Sequence, residues 1–84
     1  MSKAQWERRH AKERAWERYG IELRLQDLNR IVEDIKAGRS QPVRKVSNTR
    51  SVHDVNFGSR TIRVAYDRKR GQVVTVLPPP ELKR

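Results

Sequence analysis

The sequence contains no cysteine, only four glycines and four prolines, and 6% aromatic residues. The absence of cysteine excludes disulfide bonds and thiolate metal sites. No apolar run approaches the roughly 20 residues that cross a bilayer, and the N-terminus lacks the apolar core of a signal peptide. We therefore expect a cytoplasmic protein that has no membrane partner.

Acidic residues are also scarce, since ten Asp and Glu stand against twenty Lys and Arg. The formal net charge of +10 favours a polyanionic partner. Nucleic acid is the first expected partner, with RNA ahead of DNA, and an acidic protein is the alternative. Basic composition also arises from solubility or genomic bias, so charge alone does not identify the partner.

Several chemistries find no motif in the 84 residues. The sequence has no Gly-rich phosphate loop, no Ser-His-Asp pattern and no paired-His motif. Two histidines and scattered carboxylates do not make a metal site. We therefore expect neither a metal nor a cofactor.

A helix is predicted over Lys3–Tyr19, a stretch without Pro or Gly that Gly20 follows. Its small and aromatic residues gather on one side at helical spacing. They are Ala4, Ala11, Ala15 and Tyr19.

A second, amphipathic helix is predicted from about Arg24 to Ala37, followed by a loop to Pro42 and a short edge strand. From Val52 the apolar period becomes two, which indicates strands. The predicted strands are 52–57, 61–66 and 72–77, joined by turns at 56–59 and 67–71.

The order of these elements predicts one α+β domain over residues 1–84, with a Pro-rich tail at 78–84. Two N-terminal helices would pack on one face of a three- to four-stranded antiparallel sheet. The most apolar strand, Gln72–Leu77, is expected at the centre of that sheet, with Val73, Thr75 and Leu77 on one face.

His10 and Arg14 form a candidate catalytic pair, because residues four apart share one face of a helix. An imidazole suits the removal of a proton from a 2′-hydroxyl, and a guanidinium suits the phosphate of the transition state. The alternative is a solvated helix face on which His10 is paired with Glu7.

His53, Thr75 and Tyr66 are weaker candidates. His53 would be a second acid–base group facing His10, or else a partly buried histidine with a hydrogen bond. Thr75 would orient a phosphate, or else simply be a good strand former. Tyr66 would stack on a base, or else be a half-buried core residue.

Basic side chains on the last turn of the first helix, the hairpin arms and the DRKRG turn are predicted to bind nucleic-acid phosphates. These predicted contacts are Arg18, Arg44, Lys45, Arg50, Arg60, Arg63, Arg68, Lys69 and Arg70, with Tyr66 as the stacking residue.

The segments HAKERAWERYGIEL and RTIRVAYDRKRGQVVTVLPP resemble small bacterial and phage proteins of the barnase–colicin–RelE-like superfamily. The resemblance covers roughly Trp6 to Pro79. It implies two helices on a twisted antiparallel sheet, with an RNA-cleaving cleft in active members. It places His10 and Arg14 on the helix side of that cleft and Thr75 on the strand side.

Two functional hypotheses follow. The first is an RNA-directed protein with a ribonuclease-like fold that cleaves by 2′-hydroxyl attack without a metal. The second is a non-catalytic, phage-type accessory protein that binds nucleic acid or inhibits a nucleic-acid enzyme through its basic face. Either hypothesis allows a host protein or a cognate inhibitor as a further partner.

Overall fold

A computed structural model of the chain describes residues 2–79, and residues 80–84 of the tail predicted at 78–84 lie outside them. It confirms the α+β prediction of two helices on an antiparallel sheet, here of four strands. The elements in chain order are α1 (Lys3–Tyr19), α2 (Leu25–Lys36), β1 (Gln41–Lys45), β2 (Arg50–Phe57), β3 (Arg60–Asp67) and β4 (Gln72–Leu77).

The ends of α1 are fixed by hydrogen bonds that the flanking residues supply. The Ser2 hydroxyl accepts from the backbone N–H of Gln5, and the Gln5 side chain accepts from the backbone N–H of Ser2, each at 3.1 Å. At the other end Gly20 adopts the left-handed conformation, with φ of 66°. A residue with a β-carbon enters that conformation at a cost, so glycine ends the helix at Tyr19.

The strands follow one another in the order β1-β2-β3-β4, and each pair is antiparallel. β4 is therefore an edge strand, and the prediction of a central position for it was wrong. Its apolar residues are buried because α1 packs along it. A helix can cover an edge in place of a further strand.

A bulge at Val74 changes which β4 residues face the helices. Ala65 pairs with Thr75, but its neighbour Tyr66 pairs with Val73, so Val74 is an extra residue. Val73 and Val76 consequently both join the core, and Thr75 points to the sheet face that the helices leave uncovered. The predicted strict alternation of this strand is corrected accordingly.

The core lies between the two helices and one face of the sheet. Ala11 and Ala15 have no exposed surface, which lets α1 approach β4 closely. The Tyr19 hydroxyl accepts the backbone N–H of Arg63 at 3.1 Å, so the phenol is both buried and satisfied. Ala4 was predicted to lie on the same side of α1 as these residues, but its side chain is outside the described part of the structure. Within residues 2–79, neither helix is long and apolar enough to cross a membrane.

Arg70 ties α1 to the β3–β4 turn through two buried carboxylates, Glu7 and Asp67. Its guanidinium contacts Glu7 directly and lies 3.4 Å from Asp67 Oδ2. Gln72 Nε2 also donates to Glu7 Oε1, at 2.9 Å. Glu7 is thus engaged by the turn, which corrects the expectation that it pairs with His10.

We expect Glu7→Gln to lower the melting temperature by about 5 °C or more, because Arg70 would lose its nearest negative charge. The measurement is thermal unfolding followed by circular dichroism. Glu13→Gln is the matched control, since Glu13 forms an exposed ion pair with Arg9 at 3.7 Å. Equal melting temperatures for the two variants would contradict a structural role for the buried carboxylate.

Candidate nucleic-acid interface

His10 is partly exposed and does not belong to the core. Its ring stacks on the half-exposed Trp6, with centroids 4.9 Å apart and planes 7° from parallel. Arg14, one turn later, is engaged by Glu17 at 2.6 Å. On α1, His10 is therefore stacked on Trp6, and Arg14 forms an ion pair with Glu17.

His53 lies on the core-facing side of β2, where it is half-buried. Its Nδ1 is 3.0 Å from the Ser40 hydroxyl, and its Nε2 is 2.8 Å from the Ser51 hydroxyl. Its ring also meets the edge of Tyr66 at 6.0 Å. Burial lowers the pKa of His53, so the neutral imidazole prevails at neutral pH.

The four predicted catalytic residues are not joined in one cluster. Among residues 2–79, no hydrogen bond, ion pair or ring contact connects any two of His10, Arg14, His53 and Thr75. α1 packs on β4, whereas His53 lies two strands away on β2, roughly 9 to 10 Å across the sheet. Thr75 lies on the opposite face of that sheet.

Tyr66, predicted to stack on a base, is only 5% exposed. Burial raises the pKa of its hydroxyl, and its ring packs against His53 inside the protein. Stacking on a base needs an open ring face. The structure thus corrects the prediction that Tyr66 contacts nucleic acid.

Four of the predicted phosphate contacts are already engaged within the protein. Arg63 makes a two-pronged contact with Asp54, at 2.8 and 3.1 Å, and this hydrogen bonding raises the pKa of Arg63 further. Arg70 is held by the two buried carboxylates. Arg60 and Arg18 donate to the backbone carbonyls of Tyr19 and Val76, at 2.8 and 3.5 Å.

Four others line a single cavity of about 320 Å³ beside the β1–β2 hairpin, here called the hairpin cavity. The basic residues of its lining are Arg44, Lys45, Arg50 and Arg68. The remaining lining residues are Pro42, Val43, Ser47, Asn48, Thr49 and Ser51. None of these ten residues is acidic, so the hairpin cavity concentrates positive charge. The ninth basic candidate, Lys69, is exposed in the β3–β4 turn.

The loop between β1 and β2 builds this cavity through local hydrogen bonds. The Ser47 hydroxyl accepts the backbone N–H groups of Thr49 and Arg50, at 3.4 and 3.2 Å. The backbone N–H groups of Val46 and Ser47 both donate to the carbonyl of Arg50. A short hydroxyl side chain that accepts nearby backbone donors stabilises such a turn.

Arg68 reaches the hairpin cavity from the distant β3–β4 turn. Its guanidinium donates to the Asn48 carbonyl at 2.7 Å, and its backbone N–H donates to the Thr49 carbonyl at the same distance. These bonds use backbone oxygens and leave the charge of Arg68 without an acidic partner among residues 2–79. Arg50 is the exception in this cavity, because Asp67 lies 3.6 Å away.

Asp67 is nearly buried and accepts the backbone N–H groups of Lys69 and Arg70, at 3.0 and 3.1 Å. Burial, the largest single influence, raises the pKa of Asp67. The N–H donors together with Arg70 and Arg50 outweigh burial and bring the pKa below its usual value. The carboxylate therefore stays charged and fixes the turn that delivers Arg68.

The uncharged part of this site was not predicted from the sequence. The polar segment Ser47, Asn48 and Thr49 predicts only a turn, although these residues line the cavity between basic residues. The available signal was the position of this SNT segment between two Lys- or Arg-bearing strands. The contact of His53 with Ser40 had no signal in the sequence, since loop geometry places Ser40. The contact with Ser51 is consistent with strand alternation, because residues two apart share a face.

Within the described residues there is no group of three His, Asp or Glu side chains that could hold a metal ion. Comparisons with protein-family models, curated proteins and solved structures found no significant match. The hairpin cavity is therefore the feature of the molecule on which the function proposed below depends.

We expect Asp67→Asn to reduce the free energy of unfolding by about 2 kcal/mol at pH 7, because the variant lacks the charged acceptor of two backbone N–H groups. Since the folded pKa is depressed, this stability is present above about pH 4 and disappears as pH falls through the folded pKa. The difference between wild type and variant should shrink below pH 4 in urea unfolding.

Glu33→Gln, on the exposed side of α2, is the control for this measurement. It removes a carboxylate that makes no side-chain contact among residues 2–79, so its effect should stay within about 0.5 kcal/mol. A wild type–Asp67→Asn difference that is constant from pH 7 to pH 3 would contradict the depressed pKa.

Proposed function

We propose that the protein binds RNA without cleaving it, and that the hairpin cavity is its main contact. The observation that carries this proposal is a cavity whose ten lining residues include four basic residues and no acidic one. Phosphates supply most of the affinity in such complexes, and clustered cations attract them.

Arg44 and Lys45 are the most available of these cations. Both lie on β1, whose five residues are all exposed, and neither makes an ion pair among residues 2–79. Arg68 adds a third charge, held in place by the Asn48 carbonyl. A planar guanidinium can donate to two phosphate oxygens at once, and the lysine adds a point charge.

The uncharged side chains of the cavity favour RNA over DNA. Asn48 and Thr49 line the cavity, and neither side chain has a hydrogen-bond partner among residues 2–79. A ribose 2′-hydroxyl both donates and accepts hydrogen bonds, so it can use such groups, whereas deoxyribose cannot.

We do not propose cleavage, because the two residues predicted for it on α1 have other partners. His10 is stacked on Trp6, Arg14 is paired with Glu17, and neither lines the hairpin cavity. A general base must lie within hydrogen-bonding reach of the proton that it removes.

The first test is the salt dependence of RNA binding. We expect the double variant Arg44→Gln/Lys45→Gln to bind single-stranded RNA more weakly than wild type. Its slope of log K against log salt should be shallower by about 1.4, at about 0.7 for each phosphate that is no longer neutralised. Fluorescence anisotropy with a labelled oligonucleotide at several salt concentrations measures both quantities.

The control is a variant that removes charge elsewhere. Arg30→Gln alters an exposed α2 arginine near Asp27 and Asp34, outside the hairpin cavity. It should leave the slope within about 0.3 of the wild-type value, well below the change expected for a single phosphate. If Arg30→Gln and the double variant weaken binding equally, RNA would be held by net charge alone and the proposed site would be wrong.

The second test concerns cleavage directly. We expect folded and unstructured RNA to remain intact after hours with the purified protein in EDTA, and His10→Ala to bind RNA as the wild type does. Gel electrophoresis of end-labelled RNA gives the result. Cleavage by the wild type that His10→Ala abolishes would overturn the non-catalytic proposal and restore His10 as a catalytic residue.

A further inference from the structure

The basic groups of the hairpin cavity are concentrated at one place, although a strand of RNA spreads its charge along its length. Four basic residues line a cavity of about 320 Å³, and only Arg50 has a carboxylate partner. A groove that follows a backbone spaces its cations along the strand. The arrangement here suits one ligand group of high charge.

We propose that the hairpin cavity binds a phosphate monoester at the end of an RNA strand. This inference rests on the proposed RNA binding and names the part of the RNA that enters the cavity. A monoester carries about −1.5 to −2 charges near pH 7 and presents three acceptor oxygens. An internal diester carries a single charge and is linked to the chain on both sides.

The donors of the cavity match those three oxygens. Arg44 and Lys45, from the β1 arm, have no carboxylate partner among residues 2–79. Arg68 enters from the β3–β4 turn and is anchored to the Asn48 carbonyl, so its charge is fixed before a ligand arrives. Preorganised donors of this kind lower the cost of ordering the site.

The loop between β1 and β2 supplies uncharged hydrogen-bond donors in addition to these cations. The Asn48 amide and the Thr49 hydroxyl line the cavity without a partner among residues 2–79. The Ser51 hydroxyl lies 2.8 Å from His53 Nε2, on the face of the sheet that its strand partner Lys45 shares. A neutral imidazole that donates to Ser51 leaves the serine proton free to point toward a phosphate oxygen.

The experiment compares one short RNA sequence with three kinds of end. The oligonucleotides carry a 5′-phosphate, a 3′-phosphate or hydroxyl groups only, and they compete with a labelled RNA for the protein at about 150 mM salt, near physiological ionic strength. We expect at least one phosphorylated form to bind about tenfold more tightly than the hydroxyl form, since it adds charge-assisted hydrogen bonds. The 5′ and 3′ arms identify which end is preferred.

The variant Asn48→Ala/Thr49→Val separates end recognition from general attraction. It keeps the net charge and every backbone bond of the loop, so binding of the hydroxyl form should weaken less than binding of the phosphorylated forms. The preference for the phosphorylated end should fall to about threefold or less, because two of its hydrogen-bond donors are removed. Asn29→Ala, on the exposed side of α2, is the uncharged control and should retain the full preference.

The outcomes distinguish this inference from the proposal on which it rests. Equal affinity of the wild type for all three forms would overturn end recognition and leave RNA binding intact. Failure of every RNA to bind would overturn both end recognition and RNA binding, unless a nucleoside monophosphate alone shifts the NMR signals of the residues that line the hairpin cavity. In that case the phosphate site would stand and RNA as its source would be wrong.

Discussion

The position of Arg70 between Glu7 and Asp67 is the constraint on which the arrangement of the molecule depends. These are the two buried carboxylates of residues 2–79, and both contact this one guanidinium. Asp67 also lies beside Arg50, so alternating charges run from α1 through the β3–β4 turn to β2. A buried carboxylate without such partners would be costly. The network therefore fixes the helix on the edge strand and holds the turn that carries Arg68.

Much of the fold could be predicted because local patterns determine it. The period of the apolar residues and the position of Gly20 gave the bounds of α1, and alternation gave β2 and β3. The position of β4 in the strand order could not be predicted, because a neighbouring strand and a packed helix can each bury a continuous apolar strand. Nor could the bulge at Val74, since valine suits both faces of a pleated strand and leaves no signal of the shift.

The candidate site was only partly predictable, for a different reason. Counting basic residues identified Arg44, Lys45, Arg50 and Arg68 but did not separate them from Arg63 and Arg70. The partner of Arg70 lies 63 residues away in sequence, and that of Arg63 lies across a hairpin. Tertiary contacts decide which cations are neutralised, and the amino-acid composition does not reveal those contacts.

This division of the charges would let a small basic domain be stable and still bind the polyanion that we propose. Cations that are paired in the interior contribute to the fold and add little field outside, because their charge is balanced at short range. Cations without carboxylates repel one another, and such repulsion is tolerated where solvent and salt screen it. β1 is such a place, since it is exposed at the edge of the sheet and contributes no residue to the core. A bound phosphate would relieve the repulsion among Arg44, Lys45 and Arg68, so ligand binding and stability should be coupled at this hairpin.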